Sequence, residues 1–287
     1  MKSTLLNYKL RYYDLGKIFK VIVLIGIILY TTIPIIWVII TSLKNPVDVM
    51  SSPPKVIFKV TFDHYLGLLS GKHGNFIQYY LNSIIIAFGA SLISLFSAGL
   101  LACYLSRFSK SRLFINLIMA WVLFVYAIPP ITLTIPFYNL LDSFHLINTR
   151  IGLIFAHITG TFPYAVWMLK TFFDEIPDEL EDAAMIDGLT KIQAQYHIIF
   201  KLAIPGFVAT TIFTIIRSWN ELAQAMVLTE NAASRTVPVG ILSFIQENMT
   251  LWGPMSAASV VAMIPVFLIA LKVQRQFIKG FGFGIKG

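Results

Sequence analysis

Long runs without a charged side chain dominate this sequence, and short polar stretches separate them. Residues 21–43, 74–106, 113–141, 151–169 and 248–271 contain no Asp, Glu, Lys or Arg. Each approaches or exceeds the roughly 20 residues a helix needs to cross hydrocarbon. A sixth run, 202–228, is broken only by Arg217 and Glu221. The pattern predicts an all-α membrane protein with six transmembrane helices in a single domain over residues 1–287. The first run is too long for the apolar core of a signal peptide and lacks a small-residue cleavage site, so it is expected to stay as a helix.

Charge orients this array. With six spans both termini lie on one side, and fifteen of the 22 Lys and Arg residues fall there, against six on the other side and Arg217 within a span. The bias predicts cytoplasmic termini in a cell membrane. Composition agrees: 57% of the 287 residues are hydrophobic and 13% charged, where a soluble domain carries about a quarter. The net charge of +8 does not point to nucleic acid, because the basic residues flank spans and form no patch interleaved with exposed aromatics. Cys103 is the only cysteine, which excludes an intrachain disulfide, and its apolar flanks suggest a buried thiol. The two outer loops, 44–72 and 229–253, are long enough for local structure but not for a domain.

One polar stretch departs from the rest. Seven of the 14 acidic residues (Asp174, Glu175, Asp178, Glu179, Glu181, Asp182 and Asp187) fall within fourteen positions. Asp178 after Pro177, with Glu181 three residues on, predicts a capping box, and Gly188 predicts a left-handed stop. Thr190 and Gln193 offer a second box, and Ile192, Tyr196 and Ile199 follow at helical spacing. Residues 174–201 therefore read as helix, sharp turn, helix on the cytoplasmic side. The small residues Ala183 and Ala184 allow another backbone close, as in a knob docking in a groove. Acids at a helix N-terminus are also ordinary partners of the macrodipole, so pattern alone leaves docking and simple solvation both standing.

Within the membrane, Arg217 and Glu221 are four apart, about 18 and 24 Å along a helix from Pro205 at 1.5 Å per residue. An Arg217–Glu221 pair lining a translocation path, joined by Trp219 and Asn220, is one expectation; snorkelling to the outer interface is the other. Pro129, Pro130 and Pro136 in the third run and Pro265 in the sixth predict bends. The five histidines show no metal-ligand spacing, and His157 in a span reads as a hydrogen-bonded core residue. The segment 67–73 lacks the length and the Ser or Thr of a phosphate-binding loop, and no G-x-S-x-G nucleophile motif occurs.

The stretch EDAAMIDG, followed by Pro205, resembles the EAA signature of the permease subunits of binding-protein-dependent ABC importers. NSIIIAF from Asn82, CYLSRF from Cys103, IPPITLTIPFYNLL from Ile128, SWNELAQAMVL from Ser218, TVPVGI from Thr236 and the terminal GFGFGIKG extend the likeness over nearly the whole chain. They are most similar to the sugar permeases of the maltose type, in particular the smaller of two partner subunits. The resemblance implies a type I importer permease fold in which Glu181, Asp182, Ala183, Ala184, Asp187 and Gly188 form a coupling helix seated on an ATPase. It implies a second permease subunit, two ATP-binding subunits holding ATP and Mg, an extracytoplasmic solute-binding protein, and a sugar as solute, with a polyol or glycerol phosphate as further options. No cofactor is expected on this chain, and no enzymatic activity. Gly284, Lys286 and Gly287 in the tail would reach the ATPase. Two departures stand out: Asp182 replaces the usual Glu, and Lys201 stands where the first of two prolines is expected, predicting a second cytoplasmic helix that runs more continuously into the span. The alternative reading is an ion-coupled secondary transporter, for which Glu221 is the sole intramembrane carboxylate.

Overall fold

The computed structural model describes the backbone of residues 2–282 and the side chains of residues 16–272. Helix dominates, and among the described residues the only β-pairing is an isolated bridge between Ile245 and Thr250. Four helices are long and apolar enough to cross a membrane: Gly16–Ser42, Phe76–Phe108, Arg150–Asp174 and Trp252–Lys272. Two further helix pairs are bent at a short break, and they bring the candidate spans to six when each pair is counted as one. The principal helices are α1 (Lys2–Ser42), α2 (Phe76–Cys103), α3 (Arg112–Ala127), α4 (Pro130–Ser143), α5 (Arg150–Asp174), α6 (Glu179–Ile186), α7 (Lys191–Ala194), α8 (Ile204–Trp219), α9 (Ala223–Leu228), α10 (Val237–Leu242) and α11 (Trp252–Gly282).

The chain divides into two compact units, one made of Met1–Ser70 with Phe244–Val261, the other of Gly71–Ser243 with Ala262–Gly287. In the larger unit α2 packs along α5, with α3 and α8 beside them. Ala87, Ala90, Ala98 and Ala102 on α2 and Ala156 and Ala165 on α5 are fully or almost fully buried. Lipid tails are as apolar as leucine, so small residues that let backbones approach are what hold such helices together. A hydroxyl bridge between Ser94 and Thr161, 2.7 Å long and buried, pins the two where water cannot compete. Towards one end Leu95, Cys103, Val122, Leu169, Phe173 and Ile199 close the core. Cys103 is buried and free there, in keeping with the inert thiol expected.

In the smaller unit α1 buries nothing along its apolar stretch. The loop after it has its own order, as its length predicts: His64 in the short helix Asp63–Leu69 bonds the Lys44 carbonyl at 2.8 Å, and Tyr65 bonds Ser42 at 2.6 Å.

The third run bends at its prolines, as expected. Run 113–141 is two helices meeting at 94°, because Pro129 and Pro130 lack the N–H groups that would continue α3. Pro130 instead opens α4, which tolerates Pro136 inside it. The fifth crossing corrects the reading of Lys201. Helical backbone does run without a gap from Lys191 to Leu202, through a wide π-turn at Gln195–Ile199, but it turns by 63° before α8. Pro205 lies in the first turn of α8 and suffices to break the helix without a second proline. Pro34 and Pro163 also lie inside helices.

Candidate functional site

The 174–202 loop is built as helix, turn, helix, though the bonds holding it differ from those its sequence suggests. α6 has eight residues, about 12 Å at 1.5 Å each. Its end is the predicted left-handed stop: Gly188 sits at φ +93°, Leu189 N–H donates to the Ala184 carbonyl and Gly188 N–H to that of Met185, each at 3.1 Å. These two bonds are a complete Schellman motif. The Thr190–Gln193 capping box also forms.

The capping box at the start of α6 does not. Asp178 adopts helical backbone angles and makes no side-chain cap bond, because its carboxylate is taken by Arg107. Arg107 lies in a π-turn, Tyr104–Phe108, at the end of α2 and is only 7% exposed. Its guanidinium also donates to the Phe173 carbonyl and, at 2.6 Å, to that of Ile176. Both carbonyls lie where α5 ends, so one cation braces the end of one helix and ties down the start of the next.

Glu181 turns inward as well. It is 5% exposed, accepts a 2.7 Å bond from Gln195 and lies 3.2 Å from the Lys191 ammonium. Lys191 also donates to the Arg107 carbonyl at 2.7 Å and stands over the Phe108 ring. Gln195 completes the circuit by receiving the Cys103 thiol at 3.5 Å. The expectation that Glu181 meets a partner protein is thus corrected: its charge is spent inside the chain. Ala184 is buried too. The faces turned outward belong to Asp182, Ala183, Asp187 and Gly188, with Ile186 at 86% exposure, Ile192 at 73% and Tyr196 at 72%. Of the helically spaced trio only Ile199 packs inside. The result is an apolar tip on a charged loop, gripped from beneath by a buried ionic network.

Arg217, Trp219, Asn220 and Glu221 are brought close in the chain but not into one site. α8 ends at Trp219, so Glu221 is past the helix and no face carries both charges. Glu221 faces buried His157, with 3.3 Å between Oε2 and Nε2, and accepts from the N–H groups of Gln224 and Ala225 at the start of α9. His157 holds Ser218 by its other nitrogen at 2.6 Å, the hydrogen-bonded core role expected for it. Arg217 stacks over the Tyr126 ring at 4.9 Å. Trp219 is buried, meets Tyr80 edge-on and donates to the Ala262 carbonyl, while Asn220 bonds its own helix. The proposed Arg217–Glu221 pair is therefore absent. A groove of about 540 Å³ is lined by Trp219, Asn220, Pro238 and Phe267 and so joins two of the four. Among the described residues no three His, Cys, Asp or Glu side chains converge as a metal would require. Gly284, Lys286 and Gly287 lie outside the described residues.

Residues 93–281 match the family described as binding-protein-dependent transport system inner membrane component. This chain belongs to that family. It is the permease subunit of an ABC importer, a multi-pass membrane protein. The inner membrane ABC transporter permease protein YcjP of Escherichia coli is 32% identical over 88% of this chain and 89% of its own. The trehalose/maltose transport system permease protein MalG of Thermococcus litoralis is 34% identical over 93% of this permease and 97% of its own length. Among solved structures, a bacterial ABC transporter that imports the acidic polysaccharide alginate is similar with a TM-score of 0.73 and 23% identity, covering 91% of this permease and 97% of that chain. That likeness establishes the type I permease fold.

Sequence reasoning missed Arg107, Lys191 and Gln195, counting the two cations only as markers of orientation. The missing signal was stoichiometric: seven acids in one loop need cations, and CYLSRF places one at the nearest span end. His157 as the partner of Glu221 was legible in the same way, being the one other titratable imidazole or carboxylate within reach inside an apolar run.

Proposed function

We propose that this permease carries a sugar or oligosaccharide from an extracytoplasmic binding protein across the cell membrane, working with a second permease and two ATP-binding subunits. The observation that carries the proposal is the tip of the 174–201 loop, apolar and exposed yet braced by Arg107, Glu181, Lys191 and Gln195. A tip so held can transmit displacement to the ends of α2 and α5. Its exposed Ile186, Ile192 and Tyr196 suit a groove on a partner, since apolar side chains on a solvated loop gain by being covered. ATP and Mg would be bound by the partner. Asp182 and Asp187, both exposed, are the acids available to cations there; Glu181 is the brace. The sugar assignment rests on the trehalose/maltose relative, and cytoplasmic termini rest on the placement of Lys and Arg.

Arg217, Trp219, Asn220 and Glu221 are assigned mainly to the architecture of the fifth crossing. Only Asn220, exposed beside the 540 Å³ groove, remains available to a solute hydroxyl. The test is uptake of labelled trehalose and maltotriose by cells carrying the full transporter. Uptake is expected to stop on ATP depletion, to persist with a proton or sodium ionophore, and to be lost with Ala183→Lys. Uptake that follows the ion gradient and ignores Ala183→Lys would return the secondary-transporter reading.

A further inference from the structure

A second charged feature lies in the smaller unit, far along the chain from the coupling loop. Lys44, two residues after α1 ends, is only 2% exposed, and no ion pair or hydrogen bond of its ammonium with a described residue is present. The nearest acid in sequence, Asp48, pairs instead with Lys55 at 2.7 Å. The ammonium lies between two aromatic rings, 4.8 Å from the centroid of Trp37 and 5.3 Å from that of Phe58. Ring faces attract a cation but leave its charge uncancelled.

Beside it opens a cavity of about 400 Å³, lined by Lys44, Trp37, Thr41, Trp252 and Ser256. No carboxylate lines it. The Thr41 and Ser256 hydroxyls make no hydrogen bond to a described residue, so both can donate into the space. The site is also built from behind. His64 holds the Lys44 carbonyl at 2.8 Å, and Gly253 admits the His64 ring, since a Cβ there would come within 2.2 Å of Nε2. Val38 and Met255 give the cavity an apolar wall.

We propose that this cavity binds a phosphate-bearing anion, supplied by the headgroup of an anionic phospholipid. Position favours the lipid source. The cavity sits where α1 ends and α11 begins, the level at which a membrane helix meets headgroups, and Trp37 and Trp252 are the residues that favour that boundary. Lys44 neutralises a phosphate oxygen, Thr41 and Ser256 donate to the others, and the acyl chains continue along the exposed apolar face of α1. A desolvated ammonium then gains the counter-ion the protein does not provide.

The test is native mass spectrometry of the full chain, purified in a neutral detergent with its accompanying subunits and titrated with phosphatidylglycerol or phosphatidylcholine. The wild type should retain phosphatidylglycerol about tenfold more strongly. Lys44→Gln should remove most of that preference, and Lys44→Arg should keep it. An unchanged preference in Lys44→Gln, or none in the wild type, overturns the proposal. If millimolar inorganic phosphate displaces the lipid through Lys44, the anion site stands and the lipid source falls. Should Lys44→Gln fail to fold, brominated phosphatidylglycerol added to the unaltered protein decides: it should quench tryptophan fluorescence more than brominated phosphatidylcholine, and equal quenching counts against the site.

Discussion

The 174–202 loop and the end of α8 each concentrate charge in a chain that is 13% charged, and they accommodate it differently. Around the loop Arg107, Asp178, Glu181, Lys191 and Gln195 form one connected network in which each member answers at least one other. At the fifth crossing the ions are settled separately, Arg217 on an aromatic face and Glu221 on His157 and the first N–H groups of α9. A connected network makes a joint stiff, because no member can move without stranding a neighbour. Separate settlements shape a helix end without linking it to anything distant. The two regions therefore suit different tasks: a stiff joint at the loop, and a shaped helix end at the crossing.

The sharpest way to break this contrast is Arg107→Ala. It removes the donor to the Ile176 carbonyl and the cation beside Asp178, while the bond from Lys191 to the backbone carbonyl of the same residue survives, so a loss of about 1–3 kcal/mol is expected. Thermal unfolding in detergent would record it, and Arg107→Lys should rescue little, because an ammonium cannot serve three acceptors in a fork. Asp178→Asn should cost under about 1 kcal/mol, its carboxylate being mostly exposed.

Ala183→Lys separates bracing from docking. Ala183 is exposed, so stability should change by no more than about 0.5 kcal/mol, while import should fall by tenfold or more as a bulky charge meets a close-packed partner. At the fifth crossing Glu221→Ala should cost about 1–2 kcal/mol through the lost cap of α9, with a smaller effect for Glu221→Gln, which keeps an acceptor. Arg217→Met should cost on the order of 1 kcal/mol from the lost ring contact. Combining the last two is the most direct check of separate settlement: the effects should add to within about 0.5 kcal/mol, whereas a strong coupling would restore the Arg217–Glu221 pair.

What the sequence made legible was whatever depends on local periodicity. Four of the six apolar runs, the left-handed stop at Gly188 and the Thr190–Gln193 box are short-range features found where the pattern puts them. What it concealed were contacts between distant segments. Asp178 has the residue type and spacing of an N-cap, yet Arg107, 71 positions away, outbids the local backbone because a charge-assisted bond is the stronger one. Glu221 misled for a related reason: the four-residue spacing from Arg217 assumed a helix that stops at Trp219. Pro129 and Pro130 were read correctly as a break, whereas Pro136 and Pro265 lie inside helices, and only three-dimensional packing fixes that one break turns the chain by 94° and another by 63°.

The central claim is that the exposed face of α6, braced by Arg107, docks on an ATP-binding subunit. Cys103 is the only cysteine and is buried, so Ala183→Cys creates a single accessible thiol. The measurement is cross-linking of that thiol in native membranes with a short thiol-to-amine reagent, followed by mass spectrometry of the adduct. The account predicts an adduct with an ATP-binding subunit, absent for Val47→Cys on the exposed loop that follows α1. An adduct lacking that subunit, or one formed equally by Val47→Cys, would contradict it.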